Sequence, residues 1–536
     1  MSEQKSVSSD RQTAGPQPKP KFNYKLKLRG ASRIFLAGSI FVLEVVLIIM
    51  LSLRINTLSV SLYLALQVVG LVVAIYLFQH HGEDSYTIFW MLLTLFFPAL
   101  GLILYLLWGR KRRLKKQKKS FADSQARLEP YKKDPQASLQ ELANYDISDA
   151  AHIQIKYLTN LGFPIYTNSP QQYFDSGEGQ FEQMFRDMEN AKDYIFVQYF
   201  ILSDGYILAR TFDIMARKSQ EGLDVRLLYD DFGSSARVSK NILDDLESQG
   251  VKLVAFNRVS PYLSGYHTNY RNHQKVCIID GKVGWLGGTN LADEYANLIV
   301  RFGHWKDTAI RLEGEVCHNL LINFLIMWQQ SEKHPLDQDI DKFLPRIPSR
   351  DNQQGITIPF WDGPLGMEEN PAANLVRSLF TTARHNIVIM TPYFVLEHNM
   401  VEALCMAADC GVKVTLMTPG IPDKPQVYVV TRSNYGPLLK HGCEVYEYEP
   451  GFLHAKTIMV DDKRVILGSI NLDYRSLYLN FENAVFICDS PVIKDIRRDI
   501  DATLAVSRQV THEDWKRRPV IDKIKEPLWK TFSPLL

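Results

Sequence analysis

The sequence predicts apolar transmembrane helices at the N-terminus followed by an α/β body in which one mixed-sheet domain is built twice. Three observations predict it: long apolar runs between basic blocks, the same succession of helices and strands in two halves of the remainder, and a histidine-lysine-aspartate segment that recurs in each half without a gap. At 536 residues the chain exceeds the length at which a single hydrophobic core keeps growing. Glycine, proline and charged residues at ordinary globular levels exclude a mainly disordered or fibrous chain.

Residues 1–33 read as a basic cytoplasmic tail that includes Lys5, Arg11 and Arg33. Residues 34–109 form the membrane segment, with apolar runs at 34–53, 58–78 and 86–108, each close to the roughly 20 residues a bilayer-crossing helix needs. The length of the first run, its lack of a small-residue cleavage pattern and the apolar sequence that follows it argue against a cleaved signal peptide. A second basic block, RKRRLKKQKK, follows the third run, so positive charge asks for both flanks on the cytoplasmic side. Three crossings would separate the flanks. Two crossings satisfy them if the third run breaks at Pro98 into an interfacial or re-entrant hairpin. Glu44, inside the first run, reads as a hydrogen-bonding group within a helix bundle in preference to a pathway acid. The basic blocks flank apolar sequence and so point to an anionic lipid surface, not to nucleic acid. The six cysteines form no CxxC pair, which fits a reducing compartment.

Residues 110–148 read as a basic juxtamembrane linker, 149–350 as the first α/β domain, 351–512 as the second and 513–536 as an amphipathic tail. In the first domain, helical periodicity at 180–191, 207–220 and 239–249 alternates with apolar strands at 194–201, 224–229 and 251–256, with Gly222 and Gly250 as C-caps. The second domain repeats this with helices at 372–383 and 399–409, strands at 386–390 and 412–417, and VYEYE from Val445. Strands this apolar, alternating with helices, imply a parallel or mixed sheet covered on both faces.

HQKVCIID supplies His273, Lys275 and Asp280, and HAKTIMVD supplies His454, Lys456 and Asp461. At a shared offset follow Gly287, Gly288 and Asn290 in GGTN, then Gly468, Ser469 and Asn471 in GSIN. Histidine and lysine two apart face the same side of a strand, so both point into one cleft while Val276 and Ile458 bury the scaffold. Two such strands meeting about a pseudo-twofold axis surround one phosphate with two imidazoles and two ammonium groups. Lys275 and Lys456 neutralise the non-bridging oxygens, and Asn290 and Asn471 donate to them. One neutral imidazole attacks phosphorus while the other, protonated, supplies the departing alkoxide with a proton. This set of cationic donors requires no metal or other cofactor. Asp280 and Asp461 fall past the strand, in the turn, and read as structural.

The duplicated motif resembles the phospholipase D superfamily. RNHQKVCIIDGKVGWLGGTNLADEY, FGHWKDTAIRLEG, TPYF and GSINLDYRSLYLNFE narrow the resemblance to the bacterial cardiolipin synthases, over essentially the whole chain. The resemblance implies duplicated phospholipase D-type domains on the cytoplasmic side of the cell membrane, and transfer between two phosphatidylglycerol molecules through a phosphatidyl-histidine. It implies His273 as nucleophile and His454 as acid and base, although the symmetry of the motifs alone does not choose between them. It also implies Asp307 and Glu482 as orienting acids, assigned by order along the chain to His273 and His454 respectively. The family's histidine and glutamate in an earlier strand are replaced by Phe196 and Gln198. Oligomeric state is left open, and a hydrolase, a nuclease and a non-enzymatic scaffold are the rival readings.

Overall fold

The computed structural model describes residues 57–80, 84–106 and 115–533 apart from short stretches, the longest being 259–269 and 348–354. The basic tail, the first apolar run with Glu44 and the start of the second basic block lie outside the described residues.

Helix α1, Thr57–His80, is followed by α2, Asp84–Phe96, and α3, Pro98–Leu104. The third apolar run does break at Pro98, whose ring and missing N–H disrupt the helix ladder. The chain doubles back there: the rings of Trp90 and Tyr105 meet at 5.5 Å. Gly101 permits the fold-back, since a Cβ on it would sit 2.5 Å from the Leu93 carbonyl oxygen. Leu64, Val72, Phe78, Phe96 and Ile103 face outward, giving the hairpin and α1 an apolar exterior. Among the residues with described side chains, which in α1 begin at Leu64, no helix offers a stretch long and apolar enough to cross a membrane. The base of the hairpin docks on the second half of the body, where Tyr86 stacks on Tyr474 at 6.1 Å and Leu77, Phe89 and Trp90 pack in one cluster with Leu479.

The first half contains β1 Gln171–Phe174, β2 Tyr194–Tyr199, β3 Asp224–Asp230, β4 Lys252–Phe256, β5 Val276–Ile279, β6 Val283–Gly287, β7 His304–Lys306 and β8 Ala309–Glu313. The second contains β9 Ile356–Asp362, β10 Asn386–Met390, β11 Phe394–Val395, β12 Lys413–Pro419, β13 Glu444–Tyr448, β14 Gly451–Leu453, β15 Thr457–Val460, β16 Arg464–Gly468, β17 Leu472–Asp473, β18 Glu482–Cys488 and β19 Ser507–Gln509. Their main sheets run β1-β8-β6-β5-β2-β3-β4 and β9-β18-β16-β15-β10-β12-β13-β19. Apart from β19, the two orders correspond strand for strand. In each, a parallel set (β2, β3, β4; β10, β12, β13) joins an antiparallel set, so both sheets are mixed. Strands β2, β5 and β15 are buried along their whole length and β10 at all but its first residue, Asn386, which accounts for their largely apolar sequences.

One hydrophobic core runs through both halves, taking in Ile278 and Leu286 from the first sheet and Phe360 and Val485 from the second. Helix α4, Val316–Gln329, lies within it and packs against β5, β6, β8 and β9. The sequence reading passed over this helix. Its segment HNLLINFLIMW is apolar apart from His318 and the buried Asn319 and Asn323, which bond to the Pro359 carbonyl and Gln274, so the helix has almost no solvent side.

Candidate active site

Two short parallel pairings outside the main sheets assemble the site. Strand β7 pairs with β14 in the register Lys306↔Leu453, which sets the next residues, Asp307 and His454, side by side. A parallel bridge, Asn272↔Phe481, does the same for His273 and Glu482. The backbone closes both junctions: His454 N–H donates to the Lys306 carbonyl at 2.7 Å, and His273 N–H to the Phe481 carbonyl at 2.9 Å. His273, Lys275, His454 and Lys456 thus occupy extended segments just ahead of β5 and β15, and not the strands themselves.

This register corrects the assignment of the acids. Asp307 does not serve His273, and Glu482 does not serve His454. Glu482 lies 2.8 and 2.9 Å from His273 Nδ1 through its two oxygens, and Asp307 Oδ2 lies 2.6 Å from His454 Nδ1. Each imidazole is oriented by a carboxylate from the opposite half. Order along the chain misled because the acids are delivered by pairings between halves, which a one-dimensional offset does not encode. Both carboxylates are fully buried, and against that burial the partner imidazole and the nearby lysine hold each below the usual carboxylate range. With Nδ1 engaged, Nε2 is the nitrogen left for chemistry on each ring.

Burial disfavours charge on all four cationic partners. It lowers His273 to about 4 and His454 to about 3, which favours the neutral imidazole at pH 7. It lowers Lys275 to about 7 and Lys456 to about 8. Both lysines fold back onto the carbonyl of their own histidine, Lys456 Nζ donating to the His454 oxygen at 2.5 Å.

The remaining motif residues form the frame. Asp280 accepts the N–H groups of Lys192, Asp193 and Tyr194 at 2.8–2.9 Å, and Asp461 accepts those of Arg384, His385 and Asn386. Each therefore pins the entry to its neighbouring strand from a residue with positive φ. Gly287 and Gly468 lie against the backbones of β8 and β18. Gly288 makes room for Asp307, whose Oδ1 would be 2.1 Å from any Cβ added there. Its counterpart Ser469 instead donates its hydroxyl to Glu482. Asn290 uses its amide within the frame, accepting from Ile201 N–H at 3.0 Å and donating to the Tyr295 hydroxyl at 2.8 Å. Asn471 is buried, and its Oδ1 has no partner among the described residues.

Both histidines and both asparagines line one groove of about 1370 Å³. Sequence reasoning missed its aromatic walls. Tyr295 and Trp305 line it with ring centroids 5.4 and 5.2 Å from that of His454, buried Phe452 packs on the same imidazole at 5.5 Å, and Phe200 lies 5.0 Å from His273. Phe452 was in principle legible, since it sits two residues before His454 on an extended chain and so shares its side. Gln198, at one of the substituted positions, lies beneath the His273 segment and donates to Asn272 at 2.9 Å and Gln274 at 2.6 Å. It braces the first motif from behind the groove.

The family model for the cardiolipin synthase phospholipase D-like domain matches residues 184–299 and 376–504. A model described as phospholipase D-nuclease N-terminal matches residues 65–110. The chain is 33% identical to the major cardiolipin synthase ClsA of Bacillus subtilis, over 90% of its own length and 100% of that protein. It is 34% identical to a cardiolipin synthase of Oceanobacillus iheyensis, over 83% of this chain and 93% of that one. The chain belongs to the cardiolipin synthase family.

The wider fold extends past cardiolipin synthases. A phosphatidylserine synthase of Haemophilus influenzae superposes with a TM-score of 0.55 at 16% identity, covering 72% of this chain and all of that one. At that identity the likeness concerns the fold alone.

Proposed function

We propose that the enzyme makes cardiolipin by transferring a phosphatidyl group from one phosphatidylglycerol to the primary hydroxyl of another. In this reading Nε2 of His273 attacks the phosphorus of the first lipid. The bond from phosphorus to the head-group glycerol breaks, and protonated His454 delivers a proton to the departing oxygen. His454, now neutral, accepts the proton of the second lipid's hydroxyl. That oxygen forms the new bond to phosphorus as the nitrogen–phosphorus bond breaks, and the products are cardiolipin and glycerol. His454 must be protonated for the first step although burial favours its neutral form. The bound phosphodiester supplies the negative charge that draws a proton onto the site.

One observation carries the reading: two imidazoles line a single groove, each held at Nδ1 by a buried carboxylate. Lys275 and Lys456 neutralise the phosphoryl oxygens. The aromatic wall around His454 supports transfer over hydrolysis, because it borders the position of the attacking alcohol with surface that water wets poorly. The family membership supports the lipid substrate.

The same reading sets the groove against the cytoplasmic face of a membrane, with α1 and the α2–α3 hairpin embedded. Helix α5, Val520–Thr531, supports it by leaving Val520, Ile521, Ile524 and Leu528 exposed beside Lys523 and Lys525. Leu298, Ile299 and Val300 are also exposed, directly ahead of groove-lining Arg301 and Phe302. The test is to supply the purified full chain with phosphatidylglycerol in vesicles and measure cardiolipin, phosphatidic acid and glycerol. Cardiolipin and glycerol in equal amounts are expected. Phosphatidic acid without cardiolipin would replace the transferase with a hydrolase.

A further inference from the structure

The halves differ in charge where the groove passes His273. Two residues before His454 stands Phe452, and two before His273 stands Arg271. Four residues after Asn290 stands Glu294, and four after Asn471 stands Arg475. The matching places in the other half of each repeat thus carry no cation.

The backbone ties the two arginines together. The Arg475 carbonyl accepts the N–H of Asn480 at 2.8 Å, and the Arg271 carbonyl accepts that of the next residue, Phe481, at 2.8 Å. Glu482, the acid that orients His273, follows immediately. Arg271, Arg475, Asn480 and His273 all line the groove. Arg271 is held in place by Asp230 at 3.3 Å and the Asn257 carbonyl at 3.1 Å. Asp230 also receives the N–H groups of Phe232, Gly233 and Asn272, and Asp473, near Arg475, caps the turn at Ser476. The acids beside the arginines are thus partly committed to backbone. Burial and the nearby Arg271 charge lower Arg475 against the opposing pull of Asp473. Asn480 is 8% exposed and donates to Glu482 at 3.3 Å, while its Oδ1 has no partner among the described residues.

We propose that Arg271, Arg475 and Asn480 form a second phosphate subsite, which holds the phosphodiester of the acceptor phosphatidylglycerol while Asn480 accepts a hydrogen bond from its glycerol. The proposal rests on the transferase reading above. Water, free glycerol and the lipid acceptor all offer an O–H to the phosphatidyl-histidine, but only the lipid carries a phosphate one glycerol away. A guanidinium pair recognises that anion by charge and by bidentate geometry. Such a subsite raises the lipid's share of the intermediate without touching the reacting atoms.

The full chain in phosphatidylglycerol vesicles, with labelled free glycerol in the medium, tests this. Capture of the intermediate by glycerol returns label to phosphatidylglycerol, and capture by lipid gives cardiolipin. Arg475→Gln is expected to lower the ratio of cardiolipin to incorporated label about tenfold or more. Arg475→Lys, which keeps the charge and loses the fork, should fall between, and Asn480→Ala should lower the ratio less. A ratio equal to wild type in Arg475→Gln would overturn the proposal. Were that variant not to fold, unchanged ratios in both Arg475→Lys and Asn480→Ala would overturn it equally. Absence of both products in wild type would instead count against the transferase reading itself.

Discussion

Lys275 and Lys456 sit where burial works against their charge, and this gives activity and stability opposite responses to alkali. Both are lowered, to about 7 and about 8, by desolvation. With the lysines in their proposed role, deprotonation removes the cations that neutralise the phosphoryl group, so kcat/KM for phosphatidylglycerol should fall above about pH 8, with a smaller fall in kcat because bound phosphate restores the protons. The sign for folding is the reverse. Between these lowered values and the ordinary lysine value the unfolded chain binds more protons than the folded one, so stability rises with pH across that window. Calorimetry of the ligand-free enzyme from about pH 7 to about pH 9 should therefore show Tm rising as activity falls, and less so in Lys456→Met. The crossed acids make a second prediction. Asp307→Asn should cost about 10²-fold or more in kcat and shift the imidazole nitrogen resonances of His454, with those of His273 nearly unmoved. A shift at His273 instead would reject the pairing. At this scale the meeting of His273 and His454 on one groove was legible from the duplicated motif. The partners of His273 and His454 were not, since Asp307 and Glu482 arrive through the registers Lys306↔Leu453 and Asn272↔Phe481.

Among the elements, the hairpin of α2 and α3 shows how much a local signal decides. Pro98 and the apolar length of its run announced the break, and the fold-back follows from Gly101 lying against the Leu93 carbonyl. Gly101→Leu should force α3 away from α2. The expected result is a lower Tm in detergent and new reactivity of a cysteine placed at Tyr105, which is 6% exposed in the native packing. Unchanged reactivity would show that the hairpin does not depend on that contact. The strands and helices of the repeat were readable because their apolar runs and glycine caps are local. Helix α4 escaped because an element buried on nearly all sides, with even Asn319 and Asn323 inside, carries little polar–apolar periodicity to detect. The amphipathic tail was legible in outline, and in α5 Trp529 packs into the body while Ile521 and Ile524 face out.

At the scale of the whole molecule, the shared core sets the expectation for unfolding. Helix α4 belongs to the first half in sequence but packs on β9 of the second, and one apolar cluster spans both sheets. The body should therefore melt in one cooperative transition by calorimetry, not in one transition for each repeat. Two resolved transitions would mean that the halves are separable domains joined by weak contacts.

The exchange of carboxylates between the repeats also bears on descent. A single unit with one histidine and one acid could not bring its own acid to its own imidazole in this geometry, so it would have no complete centre. Two copies facing each other would supply both at once. Such a division makes each half the keeper of the other's imidazole while leaving the neighbouring positions free to differ, as Arg271 and Phe452 do.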